Sequence, residues 1–333
     1  MVIIVPDTNT RRLELAAEHL AKVRTEIARV IVGQQELVHR LLICLVTRGH
    51  VLLEGLPGLA KTATVNCLAK TTHCSFARLQ FTPDLLPGDI TGTLVYDPVK
   101  GTYSTRTGPI FANLVLADEI NRAPSKVQSA LLEAMQERQV TIGDQTWPLP
   151  DPFLVLATQN PIEQEGTYPL PEAQMDRFML KVIVGYPSAS EELQILDRMG
   201  TTKPDFNLES IVTPSELLEH QRLIDQIHVA PLVRDYMVRL VIATREAVQG
   251  AGPIQELKRL IRIGASPRAT INLLLAARGC ALLDGRDHVT PEDVKRIAPD
   301  VLRHRLLLTY EAEAEEVLTD QLISTLLSKV KVP

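Results

Sequence analysis

The chain has 333 residues, of which 45% are apolar and 4% aromatic, and its formal net charge at pH 7 is −5. This length and apolar share are sufficient for two domains that each bury a core. The acidic balance argues against a protein that holds duplex nucleic acid over a broad basic surface, so partners are expected to be proteins.

The N-terminal region predicts two helices before the first strand. Apolar residues from Leu13 to Val30 recur every three or four positions, and a second helix is expected over about residues 36–47. The short apolar run before Pro6 is too short for a signal peptide, and no run approaches membrane-spanning length. The four cysteines form no C-x-x-C pair, which indicates reduced thiols. A cytoplasmic protein without a membrane span is therefore expected.

Short apolar runs follow, separated by helical stretches. They lie at residues 51–53, 76–81, 113–117, 153–157 and 178–184. Strands that alternate with helices indicate an α/β fold, in which a parallel sheet is covered by helices on both faces.

The first of these strands leads into a glycine-rich turn, GLPGLAKT at residues 55–62, and then into a helix. A phosphate-binding loop requires this strand–turn–helix context. Backbone N–H groups and the helix dipole cradle a polyphosphate there, while Lys61 adds positive charge and Thr62 offers a hydroxyl to magnesium. Ala60 replaces the second glycine of the common pattern, and its methyl group is tolerable there if φ is negative. Taken alone, the segment could also be a chance turn.

Two stretches interrupt the alternation of strands and helices. Residues 87–109 are rich in glycine, threonine and tyrosine, and Tyr96 and Tyr103 flank a turn, which predicts a hairpin that projects from a helix. Residues 139–150 carry Gly143 and Asp144 at a second hairpin-like turn. A plain loop connection remains the alternative for the second stretch.

Polar residues end two of the predicted strands. Asp118 can bind magnesium, and Glu119 can polarise the water that attacks a γ-phosphate. Asn160 ends the next strand, at the edge where ligands of open α/β sheets gather, and its amide can orient that water. Ordinary alternatives exist, because an acid pair can cap a helix and an asparagine before a proline is a common turn residue.

Three arginines are candidates for additional positive charge on a γ-phosphate. Arg122 follows the acid pair, Arg177 precedes the last predicted strand, and Arg268 begins a helix after Ser266 and Pro267. An arginine supplied by a neighbouring subunit can contribute about 10³ to 10⁵ in rate. A surface ion pair is the alternative for each of them.

Beyond Pro187 the chain consists of consecutive helical patterns without strand-like runs. Residues 1–187 are therefore predicted to form a nucleotide-binding core, and residues 188–333 a helical domain. Thr290 and Pro291, followed by two acidic residues, are typical of a helix start within the second domain.

The sequence resembles the MoxR family of AAA+ ATPases over nearly its whole length. The matching strings stand in the family's order: VGQ at 32–34, the loop at 55–62, ADEINRAP at 117–124, LLEAMQE at 131–137, ATQNP at 157–161 and PEAQ at 171–174. The resemblance makes Ala60 a family feature. It implies a P-loop NTPase αβα sandwich with a parallel five-stranded sheet, followed by an all-α lid domain.

The resemblance also implies roles for individual residues. Lys61 and Thr62 correspond to the Walker A motif, Asp118 and Glu119 to Walker B, and Asn160 to sensor 1. The implied ligands are ATP and Mg²⁺, with Thr62 and Asp118 at the metal. The nucleotide is expected to contact Val32, Gly33, Gly55, Pro57, Gly58, Leu59, Ala60, Lys61, Thr62 and Ala63.

The three arginines and two hairpins gain roles by the same resemblance. Arg268 is similar to sensor 2, which acts from the lid of the same subunit. Arg177 is similar to a finger presented to a neighbouring subunit's nucleotide, and Arg122 to a further intersubunit contact. Residues 87–109 resemble the helix-2 insert, and residues 139–150 the pre-sensor-1 insert.

The implied function is Mg²⁺-dependent ATP hydrolysis at the subunit interfaces of a homo-oligomeric ring, expected to be a hexamer. Family members that lack extra domains generally act as ATP-driven chaperones that remodel or mature partner proteins, often with von Willebrand A-domain proteins. Two alternatives stay open. A nucleic-acid motor could track a strand with Lys100, Tyr103 and Arg106, although the acidic balance argues against nucleic acid. The second alternative is a scaffold that binds nucleotide without hydrolysing it, and the presence of Glu119 is evidence against it.

Overall fold

The computed structural model describes residues 8–160, 167–202 and 207–333. These residues form two compact units. The first, called the core unit, comprises His19–Arg177 and Val182–Leu218 without the gaps in the described ranges. The second, called the lid unit, comprises residues 8–18, Phe178–Lys181 and Glu219–Pro333. Each unit is described by itself.

A five-stranded parallel sheet forms the centre of the fold, which confirms the predicted α/β class. Its strands are β1 (Val51–Gly55), β2 (Phe76–Gln80), β5 (Leu114–Asp118), β8 (Leu154–Gln159) and β9 (Leu180–Val184), in the spatial order β2-β5-β8-β1-β9. The three central strands are buried over nearly their whole length. Such continuous burial is typical of a sheet that has helices on both faces, and it explains the unbroken apolar runs in the sequence.

Two hairpins accompany this sheet. One consists of β3 (Gly92–Asp97) and β4 (Thr102–Thr107), the other of β6 (Gln139–Ile142) and β7 (Gln145–Pro148). They touch where the Leu94 side chain lies on Gly143, since a Cβ added at Gly143 would come within 2.6 Å of Leu94 Cδ1. The rings of Tyr96 and Tyr103 lie 5.2 Å apart across the first hairpin. A side chain at Gly143, whose φ is +62°, would be strained by this conformation and would displace Leu94.

Helices cover the sheet and form most of the lid unit. Those up to residue 224 are α1 (Thr8–Val30), α2 (Gln35–Val46), α3 (Lys61–Thr71), α4 (Pro87–Thr91), α5 (Ser125–Glu137), α6 (Glu172–Met175), α7 (Ala189–Met199) and α8 (Pro214–Ile224). Those that follow are α9 (Pro231–Gln249), α10 (Pro267–Leu283), α11 (Pro291–Leu302), α12 (Tyr310–Ala314) and α13 (Thr319–Lys329). Two 3₁₀ turns lie at Ile120–Arg122 and Gln255–Arg259. Within the described ranges, none of these helices combines the length and the apolar character that crossing a bilayer requires.

The lid unit also contains a short antiparallel sheet that the helical pattern did not indicate. It pairs β10 (Ile261–Ile263) with β11 (Leu307–Leu308).

The helix α11 begins with a capping box, because Thr290 Oγ1 accepts from the Asp293 N–H and the Asp293 carboxylate accepts from the Thr290 N–H. Arg286 also donates to Asp293, at 2.6 and 2.8 Å. The cap thus fixes where α11 begins.

His50 joins two layers of the core unit at the start of β1. Its Nε2 donates to the Met135 carbonyl of α5 at 3.1 Å, and its Nδ1 accepts from the Val155 N–H of β8 at 3.0 Å. Burial, with the positive charge of Arg138 as a second cause, lowers the pKa of His50 to about 3. The ring is therefore neutral at pH 7, with its proton on Nε2.

Candidate functional site

A cleft of about 400 Å³ lies in the core unit, at the carboxyl ends of the central strands. Open parallel sheets bind ligands at this edge. Most of the residues singled out in the sequence meet there, together with three that were not. The lining consists of Pro57, Gly58, Leu59, Ala60, Lys61, Thr62, Ala63, Arg78, Gln80, Asp118, Glu119, Thr158 and Asn160.

The loop between β1 and α3 turns through two residues with left-handed backbone conformation. Gly58 has a φ of +83° and Ala60 a φ of +54°. The condition of a negative φ, under which a methyl group at Ala60 is easily tolerated, is therefore not met. The chain enters α3 through this left-handed residue, whose carbonyl accepts from the N–H and the Oγ1 of Thr64 at 2.8 and 2.9 Å. An alanine in this conformation costs about 1–2 kcal/mol relative to the right-handed one.

Lys61 and Gly55 connect the loop to the sheet. The Lys61 Nζ donates to the Gly55 carbonyl at 2.6 Å. Partial burial lowers the pKa of Lys61, and the negative charges of Asp118 and Glu119 oppose that effect. Gly55 has no space for a side chain, because an added Cβ would lie 2.7 Å from the Val184 carbonyl. The lysine is thus held between the loop and the acid pair.

Asp118 is held by one neighbour on each side of β5. Its Oδ1 accepts from Thr158 Oγ1 at 2.6 Å, and its Oδ2 accepts from Arg78 Nε and Nη2 at 3.2 and 2.5 Å. The strand register explains this arrangement, since β2 places Gln80 opposite Asp118 and β8 places Ala157 opposite the preceding residue. Thr158 and Arg78 therefore orient the carboxylate toward the cleft.

Glu119 follows directly and has a left-handed φ of +56°. Its N–H donates to Thr158 Oγ1 at 2.8 Å, and its Oε2 accepts from Gln80 Nε2 at 2.8 Å. The same oxygen lies 3.1 Å from Arg122 Nε. Arg122, for which the resemblance implies an intersubunit contact, thus pairs with an acid of its own chain. The Glu119 carboxylate is held at the rim of the cleft by these two donors.

The remaining predicted residues lie at three different places. Asn160 is 8% exposed and lines the cleft, whereas Pro161 of the same motif lies outside the described residues. Arg177 follows α6, where its N–H donates to the Gln174 carbonyl, and it does not line the cleft of its own chain. Arg268 is the second residue of α10 in the lid unit, and its N–H donates to Ser266 Oγ.

A smaller apolar pocket of about 200 Å³ adjoins the cleft within the core unit. The two cavities share Gly58, Leu59 and Ala60 of the loop and Ala63 of α3, so they lie side by side. Val32 belongs to this lining, whereas the neighbouring Gly33 does not and turns the chain with a φ of +66°. The mostly apolar lining suits a purine ring. It consists of Val30, Ile31, Val32, Gln34, Gly58, Leu59, Ala60, Ala63, Pro187, Ile195 and Met199.

The oxygen ligands of the cleft fit a magnesium ion that is bound together with phosphate. In the described part of the chain, no group of three or more His, Cys, Asp or Glu side chains could hold a metal ion by itself. Mg²⁺ is usually held by one or two carboxylates plus substrate phosphates, and it prefers oxygen. The Thr62 hydroxyl and the Asp118 carboxylate would be the protein's oxygen ligands to the ion. The ion would neutralise charge on the phosphates that the loop binds.

Comparison with known proteins agrees with this geometry. Residues 50–180 match the model of the ATPase family associated with various cellular activities (AAA), and residues 256–326 match the AAA lid domain. Chaperone MoxR1 of Mycobacterium tuberculosis is 51% identical to the chain, over 96% of this chain and 84% of that protein. The chain belongs to the MoxR family of AAA+ ATPases. The resemblance drawn from the motif strings is thereby confirmed.

Two further matches cover a similar extent of the chain. The protein YeaC of Bacillus subtilis is 43% identical over 94% of this chain and 95% of its own length. A solved structure from Cytophaga hutchinsonii is 48% identical, covers 97% of both chains and superposes with a TM-score of 0.91. The expected AAA+ fold, an α/β nucleotide-binding domain followed by a helical lid, is thus confirmed for this MoxR-family chain.

Proposed function

We propose that this chain is a Mg²⁺-dependent ATPase that works as a chaperone in the cytoplasm and remodels or matures partner proteins. One observation carries the proposal. Lys61, Thr62, Asp118, Glu119 and Asn160 come from separate stretches of the chain and converge on one cleft, next to an apolar pocket that suits a purine. The name of the relative Chaperone MoxR1 supports the chaperone role.

Each residue has a distinct task in this proposal. The apolar pocket holds the base, and the loop N–H groups hold the phosphates with Lys61. Asp118 and Thr62 hold the magnesium ion, which lowers the charge on the γ-phosphate. Glu119 takes the proton of the attacking water, and Asn160 orients that water. Gln80 and Arg122 both contact Oε2 of Glu119, so Oε1 is the oxygen that takes this proton.

The proposed site is completed by a neighbouring protomer. Phosphoryl transfer benefits from an arginine on the γ-phosphate, and Arg177 does not line the cleft of its own chain. We assign it to the cleft of the adjacent protomer in a ring, expected to be hexameric. Arg268 acts from the lid of the same chain. A protein with a von Willebrand A domain is the class of client that we propose.

Glu119→Gln tests the catalytic assignment. The amide keeps the shape of the side chain but cannot accept the proton, so turnover should fall by about 10² to 10⁴ while ATP binding persists. Glu137→Gln, at an exposed position in α5, serves as the matched control and should retain the turnover of the unaltered chain. Steady-state phosphate release and equilibrium ATP binding are the measurements. Equal turnover in the Glu119→Gln variant and the unaltered chain would refute the assignment.

Arg177→Ala tests the shared site. The variant should lose hydrolysis and keep its ATP affinity, because the arginine acts on another protomer's nucleotide. A mixture with Glu119→Gln protein should regain activity, since the intact Glu119 of one variant then meets the intact Arg177 of the other. Absence of any recovery over all mixing ratios would show that Arg177 does not act between protomers.

A further inference from the structure

Three consecutive basic residues follow α11 in the lid unit and bind one short stretch of backbone. Arg305 donates through Nη2 to the Phe178 carbonyl at 2.6 Å and through Nη1 to the Met179 carbonyl at 3.2 Å. His304 Nε2 donates to the same Phe178 carbonyl at 3.0 Å. Arg303 Nη1 donates to the Lys181 carbonyl. Together, Arg303, His304 and Arg305 form what we call the basic clamp.

The clamp is buried, which makes its contacts costly to lose. His304 and Arg305 are 4% and 5% exposed. Burial, helped by the positive charge of Arg305, holds the pKa of His304 well below its usual range, so the ring is neutral and its Nε2 proton faces Phe178. A buried donor or acceptor that loses its partner bears the cost of its desolvation without compensation. The carbonyls of this stretch therefore stay fixed on the clamp.

Arg303 is itself held in place by two acids. Its Nη1 donates to Asp300 Oδ1 at 2.8 Å, and its Nε and Nη2 donate to Asp320 at 2.8 and 3.0 Å. The bond to Asp320 is bidentate, a geometry that orients a guanidinium as well as binding it. Asp300 lies in α11 and Asp320 in α13, so the clamp is tied to two lid helices.

The stretch held by the clamp begins directly after Arg177 in the chain. We propose that Arg303, His304 and Arg305 are positioning residues for Arg177, and that they fix where the chain leaves Arg177 by holding the carbonyls of Phe178, Met179 and Lys181. This inference rests on the proposed action of Arg177 on a neighbouring protomer. It makes the lid unit the support of the residue that completes the neighbour's site.

The alternative is a purely structural role, in which the clamp only stabilises the lid unit. The two roles differ in which half of a shared site is damaged. A displaced Arg177 leaves the variant's own cleft intact, so a partner with a normal Arg177 can restore its activity. Damage to the lid as such, or to Arg268, affects the variant's own cleft and cannot be restored by a partner that lacks Glu119.

The test uses His304→Phe, which keeps the ring and removes the donor, and His304→Gln, which keeps a donor. Because a misplacement of about 1 Å can cost about 100-fold in rate, His304→Phe alone should lose about 10- to 100-fold in turnover, with ATP affinity unchanged. Mixing with an excess of Glu119→Gln protein should raise the turnover per His304→Phe protomer. It should reach the turnover that is measured per Arg177→Ala protomer in the same kind of mixture. His304→Gln should keep most of the activity.

Arg286→Met is the matched control, because it breaks a comparable contact in the lid unit, to Asp293, that does not touch the clamped stretch. It should lower the thermal stability without losing turnover. Should His304→Phe not fold, Arg305→Lys keeps the charge and loses the forked contact, and it should behave as described for His304→Phe.

Two results would overturn the inference. In the first result, mixing with Glu119→Gln protein restores the turnover of Arg177→Ala but not that of the clamp variant. This result leaves the proposed function intact. The other is equal loss of turnover in His304→Phe and His304→Gln, because the donor would then not matter. Failure of Arg177→Ala itself to recover would refute the proposed function, and the inference with it.

Discussion

Replacing Ala60 by glycine is predicted to stabilise the protein, although alanine is the better helix former and the position adjoins a helix. Ala60 has a φ of +54°, in the left-handed region. There the Cβ of an L-residue comes too close to the following carbonyl oxygen, whereas glycine adopts this conformation freely. The perturbation removes one methyl group and leaves the carbonyl that accepts from Thr64 in place.

The magnitude follows from two opposing terms. Relief of the left-handed conformation is worth about 1–2 kcal/mol, and the greater freedom of glycine in the unfolded chain costs about 0.5–1 kcal/mol. The free energy of unfolding should therefore rise by an amount within about 0–1.5 kcal/mol. In Ala69→Gly, the matched control inside the same helix, no strain is relieved and the free energy of unfolding should fall by about 1 kcal/mol or more.

Equilibrium urea unfolding of the nucleotide-free protein, followed by far-UV circular dichroism, measures both changes. The predicted result is a higher midpoint for Ala60→Gly and a lower one for Ala69→Gly, with equal slopes. A midpoint for Ala60→Gly that falls as far as that of Ala69→Gly would show that the left-handed conformation is not strained, and would refute the reasoning.

Two further predictions concern charge. The pKa of His50 is about 3 in the folded chain and about 6.5 in the unfolded chain. The contribution of the neutral His50 ring to the free energy of unfolding is therefore complete above pH 6.5 and is lost as the pH falls toward 3. Between pH 7 and 5 the free energy of unfolding should lose about 2 kcal/mol through His50. His50→Gln should remove this part of the pH dependence of unfolding. An unchanged pH dependence in His50→Gln would contradict the prediction. Arg78→Met should lower the Mg²⁺ concentration for half-maximal turnover by up to about fivefold, because an exposed ion pair with Asp118 is worth about 0.2–1 kcal/mol. A higher Mg²⁺ requirement would mean that Arg78 supports metal binding instead.

The sheet could be predicted from the sequence because its strands carry their own signal. Continuous apolar runs such as residues 114–117 mark strands that are buried on both faces, and an acid pair or an amide marks their ends. Parallel strands place these ends at one edge, which predicts that Asp118 and Asn160 lie near the loop of Lys61. Local pattern left ordinary alternatives open for both residues, and the resemblance of the motif strings supplied their roles.

The parts that the sequence did not reveal depend on neighbours in space. Arg78 and Gln80 lie on a strand of mixed character, and their roles arise from the register that places β2 beside β5. Ile195 and Met199 line the apolar pocket from a helix whose pattern resembles any amphipathic helix. The φ of Ala60 is set by the path into α3, which overrides the local preference of alanine. β10 and β11 are too short to show a periodicity.

Isothermal titration calorimetry with Mg-ATP, on the unaltered chain and on Lys61→Ala, measures whether this cleft binds ATP. Saturable heat is expected for the unaltered chain, and an affinity about 10- to 100-fold weaker is expected for Lys61→Ala, because a hydrogen bond from a charged group is worth about 1.5–3 kcal/mol. No heat from the folded, unaltered chain, or equal affinity in both proteins, would contradict the assignment of this cleft to ATP.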